Sequence, residues 1–392
     1  MPPETRARRE RFYQAIAPQH LAPLWEVLRN IVPPTPRPAA VPHQWSYAAL
    51  RPHMLESGRL LTAEEAERRV LVLENPSYSG QSRTTASLYA GIQMILPGEV
   101  APAHRHTPSA LRLLIEGERG FTAVGGERTT MREGDFVITP AWAWHDHGNE
   151  GDAPVIWLDG LDIPMLGYFE AVFMEGHDAR QQTVQRPEGA SRARFGQSLL
   201  PIDALAPYGP TSPIFNYPYE TTREALVRSA QAVCPDPHFA TTLRYANPLD
   251  GGWPMPTMAT WMTHVAGGRH TARVRSTDSM VMSVVEGEGE ITIGDQTFRY
   301  APKDTIAIPG WQWRSLSASA DSFLFFLGSG GPRETRVLPR RAGADLIDPV
   351  ARDLHPFERS PHPPDSSRRA PFPAKPPNQV RSRSRRAGKP AK

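Results

Sequence analysis

The chain has 392 residues, which exceeds one ordinary domain and predicts two or three structural units. Hydrophobic residues make up 39% and charged residues 22% of the sequence, a composition typical of a globular protein. The single cysteine, Cys234, excludes an intrachain disulfide framework and any cysteine-rich zinc or iron–sulfur site. No apolar run approaches the roughly 20 residues of a membrane span, and no signal peptide is recognisable. We therefore expect a cytoplasmic protein without a membrane partner.

The formal net charge of +3 is unevenly distributed along the chain. Residues 355–392 carry ten lysines and arginines against two acids, about +8, which leaves the preceding residues at about −5. The folded part is mildly acidic and does not predict a nucleic-acid partner. The segment from 331 onward is rich in proline, arginine and serine, and we expect it to be disordered because it cannot bury enough apolar surface to offset its ordering entropy.

Composition and pattern divide the chain into five segments. Short strands at roughly ten-residue spacing, separated by glycine turns, are typical of β-sandwiches and barrels. The predicted fold class is mainly β, with two barrels. The segments are an N-terminal helical and strand segment (1–83), a first barrel (84–169), a connecting segment with one helix (170–254), a second barrel (255–330) and a Pro/Arg-rich tail (331–392).

Local signals predict helices outside the barrels. Between residues 4 and 31, apolar side chains among charged ones predict short amphipathic helices broken by two prolines. Thr62-Ala-Glu-Glu65 resembles a helix capping box, and residues 70–73 predict a strand. The helix of the connecting segment is predicted to begin near Thr221 and to end near Val233.

An internal repeat relates the two predicted barrels. Residues 276–288 mirror 106–118 at an offset of 170, with Val-Glu-Gly-Glu in place of Ile-Glu-Gly-Glu at the end of each run. After a one-residue slip, residues 304–314 mirror 135–145. Duplication of one β-barrel is the simplest account of this repeat.

Three histidines of the first barrel form a candidate metal site. His104 and His106 lie two residues apart within one predicted strand, so both side chains point to the same face. His145 follows another predicted strand and can complete the set. Three neutral imidazoles bind a divalent metal and leave up to three positions of an octahedral ion open. Zinc in hydrolytic enzymes also uses three histidines, so the ligand count alone leaves iron and zinc as alternatives.

The second copy does not repeat these histidines. Val274, Ser276 and Arg314 occupy the corresponding positions. His264 and His270 lie elsewhere in that copy, and because their spacing does not reproduce the cluster they are interpreted as ordinary polar residues. We therefore predict a metal in the first barrel only.

Arg112 is the strongest candidate for binding a substrate anion. It lies on the strand after the histidine pair. Its position is even-numbered, like those of the two histidines, so its side chain points inward if no bulge intervenes. A buried arginine on an apolar strand needs an anion, and a bidentate carboxylate fits. The alternative is an internal ion pair with Glu116 or another acid.

Further polar side chains are predicted to surround the site. Gln93 and Tyr89 share one face of the preceding strand, with Gly91 between them providing space. His147 lies two residues beyond the third histidine, and Asp159 lies on the last strand of the barrel. Either of these two side chains can accept or relay a proton.

The chain resembles the bacterial gentisate 1,2-dioxygenases, which are related to the salicylate and 1-hydroxy-2-naphthoate dioxygenases. The resemblance covers about residues 10–330 and is carried by Ser87-Leu-Tyr-Ala-Gly-Ile-Gln-Met-Ile-Leu-Pro-Gly-Glu-Val-Ala-Pro-Ala-His-Arg-His-Thr-Pro-Ser-Ala-Leu-Arg112 and by Trp144-His-Asp-His-Gly-Asn149. It implies a bicupin fold, made of two double-stranded β-helix barrels with N-terminal and inter-barrel helices. It also implies one Fe(II) per subunit, held by His104, His106 and His145, and a homotetramer.

The same resemblance implies the reaction and the roles of the residues. The substrate, a small aromatic hydroxy acid, chelates iron through its carboxylate and ortho hydroxyl, O2 binds beside it, and the ring opens between the carbons that bear these groups. Gentisate gives maleylpyruvate. Arg112 and Gln93 hold the carboxylate with Arg68 as a second cation, whereas His147 and Asp159 engage hydroxyl groups and manage protons.

Three alternatives remain open at the level of sequence. Salicylate or 1-hydroxy-2-naphthoate can replace gentisate, although Tyr89 favours a hydroxylated monocyclic substrate. A metal-dependent isomerase or decarboxylase is disfavoured, because no glutamate ligand stands at Ala110 or Leu111 and Arg112 points inward. A non-catalytic barrel that binds aromatic acids is disfavoured because only one copy retains the ligands.

Overall fold

The computed structural model describes residues 2–203, 207 and 209–330, together with the backbone of residues 337–339. The predicted disordered tail otherwise lies outside the described residues. The backbone of Val337–Pro339 pairs with Val274–Ser276 of the second barrel, so these three residues form a strand where disorder was expected.

The described residues contain seven α-helices of 4 to 14 residues. They are α1 (Pro3–Ile16), α2 (Leu24–Ile31), α3 (Tyr47–Leu60), α4 (Ala63–Ala66), α5 (Ile163–Tyr168), α6 (Ala190–Phe195) and α7 (Tyr219–Ala232).

The strands supply most of the fold. They are β1 (His43–Trp45), β2 (Val70–Val72), β3 (Tyr89–Ile95), β4 (Val100–His106), β5 (Ala110–Glu116), β6 (Gly120–Val124), β7 (Glu127–Thr130), β8 (Phe136–Thr139), β9 (His145–Asn149), β10 (Val155–Leu161), β11 (Met174–Gly176), β12 (Asn216–Tyr217), β13 (Thr241–Arg244), β14 (Ala259–Val265), β15 (Val274–Ser276), β16 (Met280–Glu286), β17 (Gly289–Ile293), β18 (Gln296–Tyr300), β19 (Thr305–Ile308), β20 (Arg314–Ala318), β21 (Ser322–Gly328) and β22 (Val337–Pro339).

Four sheets form two barrels of the same design. The first barrel combines a sheet of order β12-β8-β5-β10-β3-β2 with one of order β11-β4-β9-β6-β7, and both contribute to one apolar cluster. The second combines β1-β19-β16-β21-β14-β13 with β18-β17-β20-β15-β22. The prediction of a mainly β fold with two barrels is confirmed.

The alternation of side chains along each strand separates two interiors. On β5, Leu111, Leu113 and Ile115 point out of the first barrel into an apolar core shared with the second barrel, whereas Leu114 belongs to the cluster inside the first barrel. Both faces of this strand are buried, which explains why it is nearly continuous in apolar residues. Arg112, between two outward-facing leucines, therefore projects into the barrel interior.

Short edge strands from one segment of the chain pair with strands of another segment. The N-terminal strand β1 pairs with β19 of the second barrel, and β12 of the connecting segment pairs with β8 of the first barrel. Strands β2 and β11 complete the two sheets of the first barrel. The N-terminal and connecting segments thus form parts of the barrels themselves.

Helix α3 bridges both barrels through polar contacts. Its first backbone amide, that of Tyr47, donates to Asp304 Oδ1 of the second barrel at 2.8 Å. The Tyr47 hydroxyl donates to Glu116 Oε2 of the first barrel at 2.7 Å, and Arg51 Nε donates to the same carboxylate. The arginine lowers the pKa of Glu116 below its usual value.

Helix α7 makes the equivalent contacts with the barrels exchanged. The Tyr219 amide donates to Asp135 of the first barrel at 2.9 Å, and its hydroxyl donates to Glu286 of the second barrel at 2.7 Å. Arg223 pairs with Glu286 at 3.0 Å. The duplication therefore includes a strand and a helix upstream of each barrel, beyond the repeat seen in the sequence.

Most local predictions outside the barrels are confirmed. The proline-broken N-terminal helices are α1 and α2, and Thr62 and Glu65 form the predicted capping box at the start of α4. The predicted helix of the connecting segment is α7, which begins two residues earlier than expected. The prediction of one helix there was incomplete, since α6 also occurs; its sequence, Ala-Ser-Arg-Ala-Arg-Phe, has too little apolar periodicity to signal a helix.

We expect Asp304→Ala to lower the free energy of unfolding by about 1–2 kcal/mol, because it removes the acceptor of an N-terminal helix amide. Chemical denaturation followed by circular dichroism measures the change. Asp295→Ala, in the exposed turn between β17 and β18, is the matched control and should shift stability by less than about 0.5 kcal/mol. Superimposable curves for Asp304→Ala and the wild type would contradict the bridging role of α3.

Candidate metal centre and active site

Three histidines converge on the inner face of the first barrel. His104 and His106 lie on β4, and His145 lies on β9 directly opposite His104. The ring centroids are 4.1 to 5.2 Å apart, and one ring nitrogen of each lies within 4.8 Å of the others. The structure thus brings together the three side chains that the sequence singled out as metal ligands.

A backbone carbonyl lies beside the Nδ1 atom of each ring, and for His106 and His145 it sets the tautomer. A carbonyl oxygen only accepts, so the neighbouring Nδ1 carries the proton and Nε2 keeps its lone pair for a metal. The Nε2 atom of His145 is buried and has no hydrogen-bond partner among the described residues. The Nδ1 to oxygen distances are 3.3 Å for His104 to Pro102, 2.7 Å for His106 to Pro108 and 2.9 Å for His145 to Ala143.

Burial keeps these imidazoles neutral. Desolvation lowers the pKa of His104 to about 2 and that of His106 to about 4, and it lowers the pKa of His145 well below its usual value. Neutral imidazole is the form that binds a metal. Three such donors, with an orphaned Nε2 atom among them, fit a divalent transition metal.

The second barrel replaces this cluster with a buried arginine. The Arg314 guanidinium occupies the position equivalent to His145 and donates to Ser276 Oγ at 3.2 Å. His264 is buried and stacks on Phe323, whereas His270 is exposed. No second cluster of histidine, cysteine or carboxylate ligands occurs in the part of the chain that the structure describes.

Arg112 enters the barrel interior and is only 4% exposed. Its Nη1 donates to Thr139 Oγ1 at 2.6 Å, and its Nε lies 3.5 Å from Asp159 Oδ1. The alternative of an internal ion pair is therefore met by another acid, Asp159, whereas the pairing with Glu116 is wrong. Ile156 pairs with Glu116 and Trp157 with Leu114, so the strand bulges and Glu116 turns outward to α3.

Arg68 lies beside the histidine cluster. Its Nη2 contacts Nδ1 of the His104 ring, lies 3.1 Å from Nε2 and donates to Pro102 O at 2.9 Å. Burial, with the positive charge of Arg112, lowers the pKa of Arg68 to about 10. Two guanidinium groups at one end of the barrel favour an anionic ligand there.

His147 follows His145 on the same face of β9 and is fully buried. Its Nδ1 lies 3.0 Å from the hydroxyl of Thr122, directly opposite on β6. Its Nε2 has no hydrogen-bond partner among the described residues. Desolvation lowers its pKa well below the usual value, so the ring is neutral and Nε2 can contact a ligand hydroxyl.

Asp159 lies directly opposite Arg112 on the neighbouring strand. Its Oδ1 accepts a hydrogen bond from Trp157 Nε1 at 2.9 Å. Burial raises the pKa of Asp159 to about 6, and the charge of Arg112 opposes this shift. The carboxylate therefore titrates close to physiological pH.

Gln93 and Tyr89 line the same sheet. Gln93 is buried, and its Nε2 has no hydrogen-bond partner among the described residues. A Cβ atom on Gly91 would lie 2.9 Å from the Tyr89 hydroxyl and 2.6 Å from Val70 Cγ1. The tyrosine thus folds over the glycine and takes up the space that was expected to remain open between the two side chains.

The two tryptophans that precede His145 lie apart from the cluster. The Arg105 guanidinium stacks on Trp142 and Trp144, at 4.4 and 4.6 Å from the ring centroids, and pairs with Glu175. Arg105 alternates with His104 and His106 along β4, so this stack lies on the outer face of the strand.

Sequence reasoning missed three side chains that hold the predicted ones. Thr122 holds His147, Thr139 holds Arg112 and Trp157 holds Asp159. For Trp157 a signal was available, because it lies two residues before Asp159 on the same strand and so shares its face. The two threonines depend on cross-strand register, which the sequence does not state.

Comparison with known proteins agrees with this geometry. Residues 91–161 match the cupin domain family. Gentisate 1,2 dioxygenase 1 of Aquipseudomonas alcaligenes is 49% identical over 324 residues, which cover 83% of this chain and 93% of that protein.

The chain belongs to the gentisate 1,2-dioxygenase family.

Other members of this wider group are more distant. The 1-hydroxy-2-naphthoate 1,2-dioxygenase of Nocardioides sp. (strain KP7) is 34% identical over 335 residues, covering 81% of this chain and 83% of that protein. The structure of salicylate 1,2-dioxygenase from Pseudoaminobacter salicylatoxidans, an adduct with gentisate, matches with a TM-score of 0.79 at 31% identity, over 86% of this chain and 94% of that one. These relatives are ring-cleaving oxidoreductases, and so is this family member. None of its described helices has the length and apolar character needed to span a membrane.

For protein loaded with Fe(II), we expect His106→Ala to reduce the bound metal from roughly one ion per chain to below a tenth, because two imidazoles hold a divalent metal much less tightly than three. Elemental analysis of protein loaded anaerobically and desalted measures the metal, and circular dichroism checks the fold. Arg314→Ala is the matched variant in the second barrel and should retain the metal. Loss of iron from folded Arg314→Ala would refute the assignment of the metal to the first barrel.

Proposed function

We propose that this chain is an Fe(II)-dependent gentisate 1,2-dioxygenase that opens the ring of gentisate between the carboxyl-bearing and the adjacent hydroxyl-bearing carbons to give maleylpyruvate. The observation that carries the proposal is a three-histidine cluster, within one buried barrel interior, beside an arginine whose Nε has no hydrogen-bond partner among the described residues. The 49% identity to a gentisate dioxygenase favours gentisate over the substrates of the relatives that are 30–34% identical.

His104, His106 and His145 would hold one Fe(II) per subunit. Their neutral rings, with one nitrogen of each within 4.8 Å of the others, suit this ion, and the set contains no carboxylate ligand. Ferrous iron at such a site supplies a redox-active Lewis acid with open positions for a chelating hydroxy acid and for O2.

Arg112 and Gln93 would bind the substrate carboxylate. Both project into the interior, from β5 and β3 on either side of β10, and each carries a buried N–H group without a hydrogen-bond partner among the described residues. A carboxylate satisfies both donors and compensates the buried guanidinium. Arg68, beside His104, would add the second cation.

His147 and Asp159 would engage the ring hydroxyl groups. His147 Nε2 is buried, neutral and available, while the Asp159 carboxylate is held by Trp157 and titrates near pH 6. A neutral imidazole and a carboxylate of raised pKa can each accept a hydroxyl proton at neutral pH. Tyr89, folded over Gly91, would close the pocket around a single ring.

We further propose a homotetramer in the cytoplasm, in line with the family resemblance and with a composition that contains one cysteine. The partners of the protein would then be the aromatic acid, O2 and other copies of this chain.

Protein loaded with Fe(II) under anaerobic conditions should consume one O2 per gentisate and form a product heavier than gentisate by two oxygen atoms. An oxygen electrode and mass spectrometry measure both. Salicylate and 1-hydroxy-2-naphthoate should turn over at least about tenfold less efficiently, because one missing polar contact costs about 1.4 kcal/mol or more. Iron-loaded protein that turns over none of the three acids would overturn the proposal.

Activity should fall as the pH drops through about 6. The carboxyl of Asp159 has a raised pKa near 6, so it is charged above that pH and neutral below it, where it cannot accept a proton. The pH profile of kcat/KM for gentisate should show this acidic limb. Asp159→Asn should have low activity, and its kcat/KM should no longer fall as the pH drops through about 6. An unchanged fall in that variant would exclude Asp159 as its source.

A further inference from the structure

Arg112 and Asp159 form an ion pair that is looser than their positions allow. They are direct cross-strand partners on β5 and β10, both buried. Such a pair normally closes into a bidentate contact with N to O distances of about 2.7–2.9 Å. Here the guanidinium Nε stands 3.5 Å from Oδ1, and Nε makes no hydrogen bond within the described part of the chain.

Trp157 contacts the same carboxylate. Its indole Nε1 donates to the same oxygen, Oδ1 of Asp159, at 2.9 Å. The two side chains lie two residues apart on β10 and therefore point into the same interior. The indole N–H can only donate, and Asp159 is the acceptor that it meets.

The indole is itself fixed by its surroundings. Trp157 is fully buried in the apolar cluster of the first barrel with Leu114 and Val137, and its ring edge lies against His147 at 5.7 Å between centroids. A rigid, buried donor holds the carboxylate in one orientation. The carboxylate still compensates the charge of Arg112 through space, but it leaves the Nε donor unused.

We propose that Trp157 is a positioning residue that keeps Asp159 from closing onto Arg112, so that the Nε edge of the guanidinium stays available to the carboxylate of the substrate. This rests on the proposed function, in which the ligand is an aromatic acid. Without the indole N–H, Asp159 turns towards its cross-strand partner and competes with the substrate for Arg112.

Trp157→Phe tests this by removing the N–H while keeping an aromatic ring. The dissociation constant of gentisate, measured by anaerobic calorimetry on the Fe(II)-loaded protein, should rise about tenfold, as expected for one lost charge-assisted hydrogen bond. KM should rise with it, and kcat should fall as well, because an Asp159 carboxylate drawn to Arg112 no longer engages the ring hydroxyl. Trp144→Phe, on the outer face of the barrel wall, is the matched control and should bind gentisate like the wild type.

The Asp159→Asn background separates positioning from packing. An amide cannot form a charged pair with Arg112, so adding Trp157→Phe to Asp159→Asn should change the dissociation constant less than twofold. A merely structural tryptophan would weaken binding equally in both backgrounds, and that result would overturn the proposal. Unchanged binding in Trp157→Phe alone would also overturn it.

A second variant decides the matter if Trp157→Phe does not fold. Site-specific replacement of Trp157 by benzothienylalanine exchanges the N–H for sulfur at nearly constant shape, and it should give the same tenfold loss. Binding and turnover are separate readouts. Wild-type protein that binds gentisate without cleaving it refutes the proposed function, while the dissociation constants of the single and double variants still test Trp157. Wild-type protein that binds neither gentisate nor salicylate overturns both.

Discussion

The structure depends on burial of both faces of the strands that lie between the two barrels. Because side chains alternate along a strand, every second residue of β3, β5 and β10 enters the core shared by the barrels, and the others enter the interior of the first barrel. The close approach is visible at Gly160, where a Cβ atom would lie 2.5 Å from the side chain of Leu327 in the second barrel. Apolar packing on the outer face fixes the register, and the register in turn places every polar side chain of the site.

Polar groups inside a barrel carry a high desolvation cost, and the interior is arranged to limit it. The histidines are neutral because burial depresses their pKa values. Arg112 is balanced by Asp159, which remains close without closing a hydrogen-bonded pair. A substrate carboxylate could therefore bind Arg112 without breaking a hydrogen bond between Arg112 and Asp159. This low cost is the physical basis for selecting an aromatic acid.

The duplication explains why one barrel can lack the three histidines without loss of the fold. Helices α3 and α7 each contact both barrels through a tyrosine amide, a tyrosine hydroxyl and an arginine, and the four acids involved recur at equivalent positions in the two copies. Arg314 fills the position of His145 in the second copy. Assembly of the barrels therefore relies on contacts separate from the metal site.

Local periodicity was sufficient to predict the barrels and the convergence of His104 and His106, since a spacing of two residues on a strand is independent of the rest of the fold. It was not sufficient for contacts set by long-range register. The outward turn of Glu116 follows from a bulge that depends on its partner strand, and the three-residue strand β1 finds its partner more than 250 residues away. The hydrogen bond from Trp157 to Asp159 depends on rotamers, which parity alone does not determine.

The most direct test is an anaerobic crystal structure of the protein with Fe(II) and gentisate. We expect one metal per chain, bound by Nε2 of His104, His106 and His145, with the gentisate carboxylate on Arg112 and with Trp157 still donating to Asp159. A metal in the second barrel, or a carboxylate bound away from Arg112, would contradict this account.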